Sequence, residues 1–222
     1  MIKYFTEFHF HGLIIRDPQT ALSNLLMFLA GMWCFFRISK FRKTIPGAEA
    51  WRFFFFFFAL ATFVGIFVHG FSAYTPQHIH FWIWISMGWL QMIGVFFAQV
   101  GTTKLYFKEK VRMIIVIGLL QFIFCGILMI ITRKFAAVNI DTGVGLLPIM
   151  FINFSQYKRR IVSSTWLGIG IATAAIPAVI AGAKLSISEA YFNFNDLSHL
   201  LVIACTIMMC VGLERNFSSV KN

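Results

Sequence analysis

His69, Asp196 and His199 are ionisable side chains set in stretches of sequence that are otherwise almost wholly apolar. An imidazole or carboxylate in hydrocarbon is costly, and is kept where it faces a cavity, a partner or a bound ion. Asn195 and His199 are four residues apart and Asp196 and His199 three, so on a helix either pair shares one face. His69 and Ser72 are also three apart. Imidazole and carboxylate suit zinc and similar ions, and a carboxylate can instead orient a ligating imidazole from behind. Each residue also has a plainer reading. A histidine near a helix end can bond a backbone carbonyl or interfacial water. His80, beside Trp82 and Trp84, can belong to an interfacial aromatic belt. Asp17 before Pro18, with Thr20 further on, reads as a helix-start signal.

These residues need a membrane-embedded scaffold. The 222-residue chain is 59% hydrophobic and only 12% charged, about half the charged share of a soluble domain. It cannot cover itself with polar groups. Seven apolar stretches lie at about 21–38, 50–74, 79–100, 111–132, 143–157, 162–183 and 194–213, most of them long enough to cross a bilayer as helices. The fifth is short and must borrow residues from its flanks. The expected fold class is all-α: one integral membrane domain over residues 1–222, a seven-helix transmembrane bundle. Pro177 should kink the sixth span, whose Gly and Ala residues favour close helix packing.

Net charge is +11. Lys and Arg cluster in short loops, so the charge reads as a topology signal. With the N-terminus outside, 14 of the 19 Lys and Arg fall on the inner side, Lys158, Arg159 and Arg160 among them, and 5, with Lys3, outside. The positive-inside rule then places the N-terminus outside and the C-terminus in the cytoplasm, with the cytoplasmic membrane as the expected location. His69 lies near the outer end of the second span, and the third and seventh spans begin at the outer face. Asp17, Thr20, Ser23 and Asn24 lead into the first. Segments far apart in sequence thus bring polar residues to one membrane face.

Other chemistry is missing from the sequence. There is no phosphate-binding glycine loop and no Gly-x-Ser-x-Gly elbow. Nothing resembles a nucleic-acid module. No lysine sits mid-span for a retinal Schiff base. Cys34, Cys125, Cys205 and Cys210 form no Cys-x-x-Cys pair and read as packing residues.

Three segments together resemble the CREST superfamily of seven-helix membrane hydrolases, which includes alkaline ceramidases and the progestin and adipoQ receptors. Thr20–Asn24 (TALSN) is similar to a segment opening the first span of ceramidases. FVHGF places His69 at the second-span histidine, and NDLSH places His199 at the second histidine of the last-span motif. The likeness also extends to an uncharacterised bacterial membrane family with a His-Gly pair in the second span and Asn-Asp-x-x-His in the last. It implies an intramembrane zinc site and hydrolysis of a lipid amide or ester. The sequence departs from the superfamily at three places. Asn195 stands for the first histidine of the last motif, Gly65 for a serine, and His80 near the third-span aspartate. The metal set to expect is therefore His69, His80 and His199, with Asp196 as base, ligand or supporting carboxylate. Ser72 or Tyr74 would help bind an oxyanion, and substrate would arrive sideways from the bilayer. Two other functions use the same residues. One is a receptor, sensor or small transporter holding a ligand or proton. The other is a purely structural cluster between helices.

Overall fold

The computed structural model describes residues 6–157, 162–189 and 191–221; Lys3 and Lys158–Arg160, counted in the charge balance, lie outside them. Among the described residues, a β-hairpin of β1 (Glu7–Phe10) and β2 (Leu13–Arg16) is followed by eight α-helices. They are α1 (Pro18–Ser39), α2 (Ala48–Gly70), α3 (Gln77–Tyr106), α4 (Val111–Thr132), α5 (Ala136–Tyr157), α6 (Val162–Thr173), α7 (Ala175–Ala183) and α8 (Phe194–Lys221). A 3-10 turn, Lys108–Lys110, leads into α4. Seven helices among the described residues are long and apolar enough to cross a membrane, α6 and α7 together making one. This is an all-α, multi-pass membrane protein.

The broken sixth span has a local cause. Pro177 has no N–H to give to the carbonyl of Thr173 four residues earlier, and its ring crowds that carbonyl. The break falls there, at Ala174. The fifth span extends outward to Ala136 rather than starting near 143. Its flank AAVNI is apolar enough to carry it, and Asp141 is drawn inside. The second span stops at Gly70, so Ser72 and Tyr74 lie in the turn that follows.

α1 packs on α2 and α8, α2 on α3, α6 on α5 and α8, and α3 on α4 and α5. The larger core joins Trp51, Phe55, Leu167, Met209, Leu213 and Phe217. In the Phe53–Phe58 run, Phe54, Phe55 and Phe58 turn inward, while Phe53 and Phe57 lie against Phe97 of α3, with ring centres 5.3 and 5.5 Å apart. Leu120, Phe124 and Ile131 of α4 stand exposed. Apolar surface like this belongs against lipid rather than water. Two close approaches set how the site helices meet. Gly31 of α1 sits so near α2 that a Cβ would come 2.9 Å from that of Ala59. Gly212 brings α8 against the α6 backbone, 2.5 Å from Leu167 N for a Cβ.

The hairpin was not legible in the sequence. Its register pairs Glu7 with Arg16 and His9 with Ile14. Tyr74 fastens it to the bundle, its hydroxyl accepting from Ile14 N at 2.6 Å and donating to Gly12 O at 3.3 Å. His9 and His11 are exposed on it.

Candidate functional site

Three helix ends meet beside the hairpin: the starts of α1 and α8 and the end of α2. Thr20, Ser23 and Asn24 lie at i, i+3 and i+4, on one buried face of α1. The side chain of Asn193 precedes α8 and caps it. Its Oδ1 accepts from Asn195 N at 2.8 Å and Asp196 N at 3.4 Å. Asp196 returns the bond, its Oδ2 accepting from Asn193 N at 3.0 Å. This reciprocal arrangement is a capping box with aspartate in the third helical position. It leaves Asp196 Oδ1 to cross to α1, where it accepts from Thr20 Oγ1 at 2.7 Å.

One turn along α8, His199 Nδ1 lies 2.8 Å from Ser23 Oγ. Ser23 Oγ also reaches the Thr20 carbonyl at 3.0 Å. The hydroxyl has one proton, so the tautomer of His199 decides its use. If Nδ1 is bare, Ser23 donates to it; if Nδ1 carries the proton, the ring donates to Ser23 and Ser23 to Thr20. The His199 ring meets that of His69 edge to face, with centres 6.3 Å apart.

Asp17 holds the position preceding α1, in a left-handed conformation (φ 49°), yet its side chain does not cap that helix. The carboxylate turns across the bundle instead. Its Oδ2 lies 3.5 Å from His69 Nδ1, and its Oδ1 accepts from Asn193 Nδ2 at 3.2 Å. The helix-start reading of Asp17 is therefore right about place and wrong about partner. Asn24 donates to the Thr20 carbonyl at 2.9 Å. Its amide occupies the room above Gly65, where a Cβ would come 2.4 Å from Asn24 Oδ1. A serine at Gly65, as the superfamily has it, would collide with Asn24. Gly65→Ala should accordingly cost about 1–3 kcal/mol as an overpacked site. Thermal unfolding in detergent, with Gly65→Ala/Asn24→Ala as the relieving double variant, checks it.

The other expected site residues lie elsewhere. His80 Nε2 is 3.0 Å from the Val68 carbonyl, the plainer of its two readings. Tyr74 is committed to the hairpin. Ser72 Oγ is buried, but no hydrogen-bond partner reaches it. Asn195 joins the cluster through its backbone N–H.

These donors do not form the zinc set that the resemblance implies. Among the described residues, no three His, Cys, Asp or Glu side chains are placed to hold a metal ion. Zinc–nitrogen bonds of about 2.0–2.1 Å put two imidazole centres on one tetrahedral ion about 5 Å apart, closer than the 6.3 Å between His69 and His199. Protein purified without added metal should hold substoichiometric zinc by plasma mass spectrometry. Stoichiometric zinc that disappears in His69→Ala/His199→Ala would restore the metal set.

A cavity of about 200 Å³ opens between α1 and α8, lined by Gln19, Leu22, Ser23, Leu26, Phe192, Asp196 and Leu200. Leu22, Leu26 and Leu200 are exposed on the lipid-facing side, whereas Ser23 and Asp196 are buried at its floor. The serine of the Ser23–His199 pair is thus reached from an apolar surface.

A second polar group lies in the other half of the bundle. Gln99 Nε2 donates to Gln121 Oε1 at 3.0 Å, and Gln121 Nε2 donates to Asp141 Oδ1 at 2.8 Å. Asp141 is 1% exposed. Sequence reasoning missed it because the fifth span was begun near 143, seven residues after its true start at Ala136 and two residues past Asp141. The shortness of that span was the available signal.

No curated protein and no solved structure matches the chain. A family described as a family of unknown function (DUF6962) matches residues 19–216, from the first turn of α1 nearly to the end of α8, and the chain belongs to that family.

Proposed function

We propose that this protein is a membrane-embedded hydrolase of an ester or amide bond in a lipid, with Ser23 as nucleophile and His199 as its base. The observation that carries the reading is the 2.8 Å approach of Ser23 Oγ to His199 Nδ1 at the floor of a cavity with apolar walls. A serine hydroxyl is a weak nucleophile until a neighbouring base takes its proton. The likeness to ceramidases in the first, second and last spans points to the same substrate class.

The lipid chain would lie along Leu22, Leu26 and Leu200, with its carbonyl at Ser23. His199 Nδ1 takes the hydroxyl proton as Ser23 Oγ bonds to the carbonyl carbon. The carbon–oxygen or carbon–nitrogen bond to the leaving group then breaks, and the leaving atom receives the proton from His199. His199 then deprotonates a water whose oxygen bonds to the acyl carbon; the bond from that carbon to Ser23 Oγ breaks, His199 returns the proton to the serine, and the fatty acid leaves. Thr20 and Asp196 fix the spacing of α1 and α8, and so the distance between nucleophile and base.

The test is turnover by purified protein in nanodiscs, presented with a panel of fatty-acyl esters and amides including ceramide and diacylglycerol, with products read by mass spectrometry. Release of fatty acid that Ser23→Ala abolishes supports the reading. A second reading, a receptor or sensor, is favoured by the way the network closes on itself through Thr20–Asp196 and Asp17–Asn193. Saturable binding of a lipid without product, unaffected by Ser23→Ala, would choose it.

A further inference from the structure

The opposite end of the bundle has a hollow of its own. A cavity of about 330 Å³ lies between the α1–α2 loop and the end of α3, lined by Arg42, Lys43, Thr44, Gly47, Glu49 and Lys104 with Ile45 and Pro46. Three cations and one acid meet there. The acid is engaged: Glu49 Oε1 lies 3.1 Å from Arg52 Nη2. Among the described residues, Arg42, Lys43 and Lys104 enter no ion pair.

The two walls meet in close contact. Gly47 has φ +86°, and a Cβ on it would come 2.1 Å from the carbonyl oxygen of Gly101. Loop and α3 therefore touch backbone to backbone. That contact places Lys104, three residues beyond Gly101, on the same cavity as Arg42 and Lys43. The first turn of α2 opens beside the same space with no side-chain cap, so the positive end of its dipole adds to the cationic side chains. Topology signalling accounts for cations in this loop. It does not account for cations ringing a hollow whose acid is turned to another partner.

We propose that this cavity binds a phosphate group, carried by an anionic phospholipid or free in solution. A guanidinium and two ammonium groups around a concave space match the charge and acceptor oxygens of phosphate. The site is distinct from the Ser23–His199 cluster and does not depend on hydrolysis.

The experiment is native mass spectrometry of the full chain in detergent, titrated with phosphatidylglycerol. Arg42→Gln/Lys43→Gln/Lys104→Gln should bind about 10–100-fold more weakly than wild type. Lys108→Gln/Lys110→Gln/Arg112→Gln removes the same charge from residues outside the cavity and should stay close to wild type. If the first triple variant fails to fold, Lys104→Gln alone, on an exposed position of α3, should still weaken binding several-fold. Displacement of bound lipid by millimolar inorganic phosphate would assign the site to free phosphate. Retention against it would assign the lipid headgroup. Equal weakening in both triple variants, or in neither, overturns the proposal.

Discussion

His199→Ala is expected to lower kcat/KM for the lipid substrate by at least about a thousandfold, with Ser23→Ala falling as far. The two residues act as one unit, so the double variant should be no worse than either single one. Additive losses would mean two separate roles. Stability offers the control. His199 bonds Ser23, and Ser23 retains the Thr20 carbonyl when the ring is gone. The folding loss should therefore be small, about 1–2 kcal/mol, and the variant should remain a folded, inactive protein. His199→Gln, which keeps a polar side chain but no titrating nitrogen, should restore stability without activity. Kinetics on lipid in nanodiscs alongside unfolding in detergent separate the two effects.

Asp196→Ala should have the largest effect on the fold. The carboxylate is 2% exposed and serves two helices at once. One oxygen completes the capping box with Asn193 and the other takes the Thr20 hydroxyl. Removing it breaks the reciprocal half of the capping box, leaving Asn193 N without its acceptor, and leaves a buried hydroxyl unpaired, a loss of about 2–4 kcal/mol. Thr20→Val removes one of these bonds and should cost about 1–2 kcal/mol. The pair should be non-additive, because Thr20→Val already deletes the bond between them. Equilibrium unfolding across this double-mutant cycle checks both figures. An Asp196→Ala cost below that of Thr20→Val would contradict the bridging role.

Apolar length and loop charge were enough to read seven spans, and the spacings of Asn195, Asp196 and His199 were enough to read that polar residues share a face of the last one. Those are local properties. Which polar group meets which is not local. Asp17 sits where a capping residue belongs, and only the packing of α1 on α2 and α8 turns it toward His69 and Asn193. His80 was grouped with His69 and His199 because it opens the third span at the same outer face and stands near the superfamily's third-span aspartate. Depth says nothing of rotation about a helix axis, and His80 turns to the Val68 carbonyl. Gly65 looked like a lost serine; packing makes it the room that Asn24 fills. Asp141 was hidden by a boundary error of seven residues, since the apolar flank from Ala136 outside the expected span belongs to the helix.

The central claim is that Ser23 is a nucleophile reached from the lipid face and activated by His199. A long-chain alkyl fluorophosphonate, which forms a bond only with an activated serine, tests it directly. Peptide mapping after treatment of the protein in nanodiscs should place the adduct on Ser23. Labelling should fall to background in Ser23→Ala and His199→Ala but persist in Arg42→Gln/Lys43→Gln/Lys104→Gln. A protein that stays unlabelled, or is labelled equally in His199→Ala, would contradict the account.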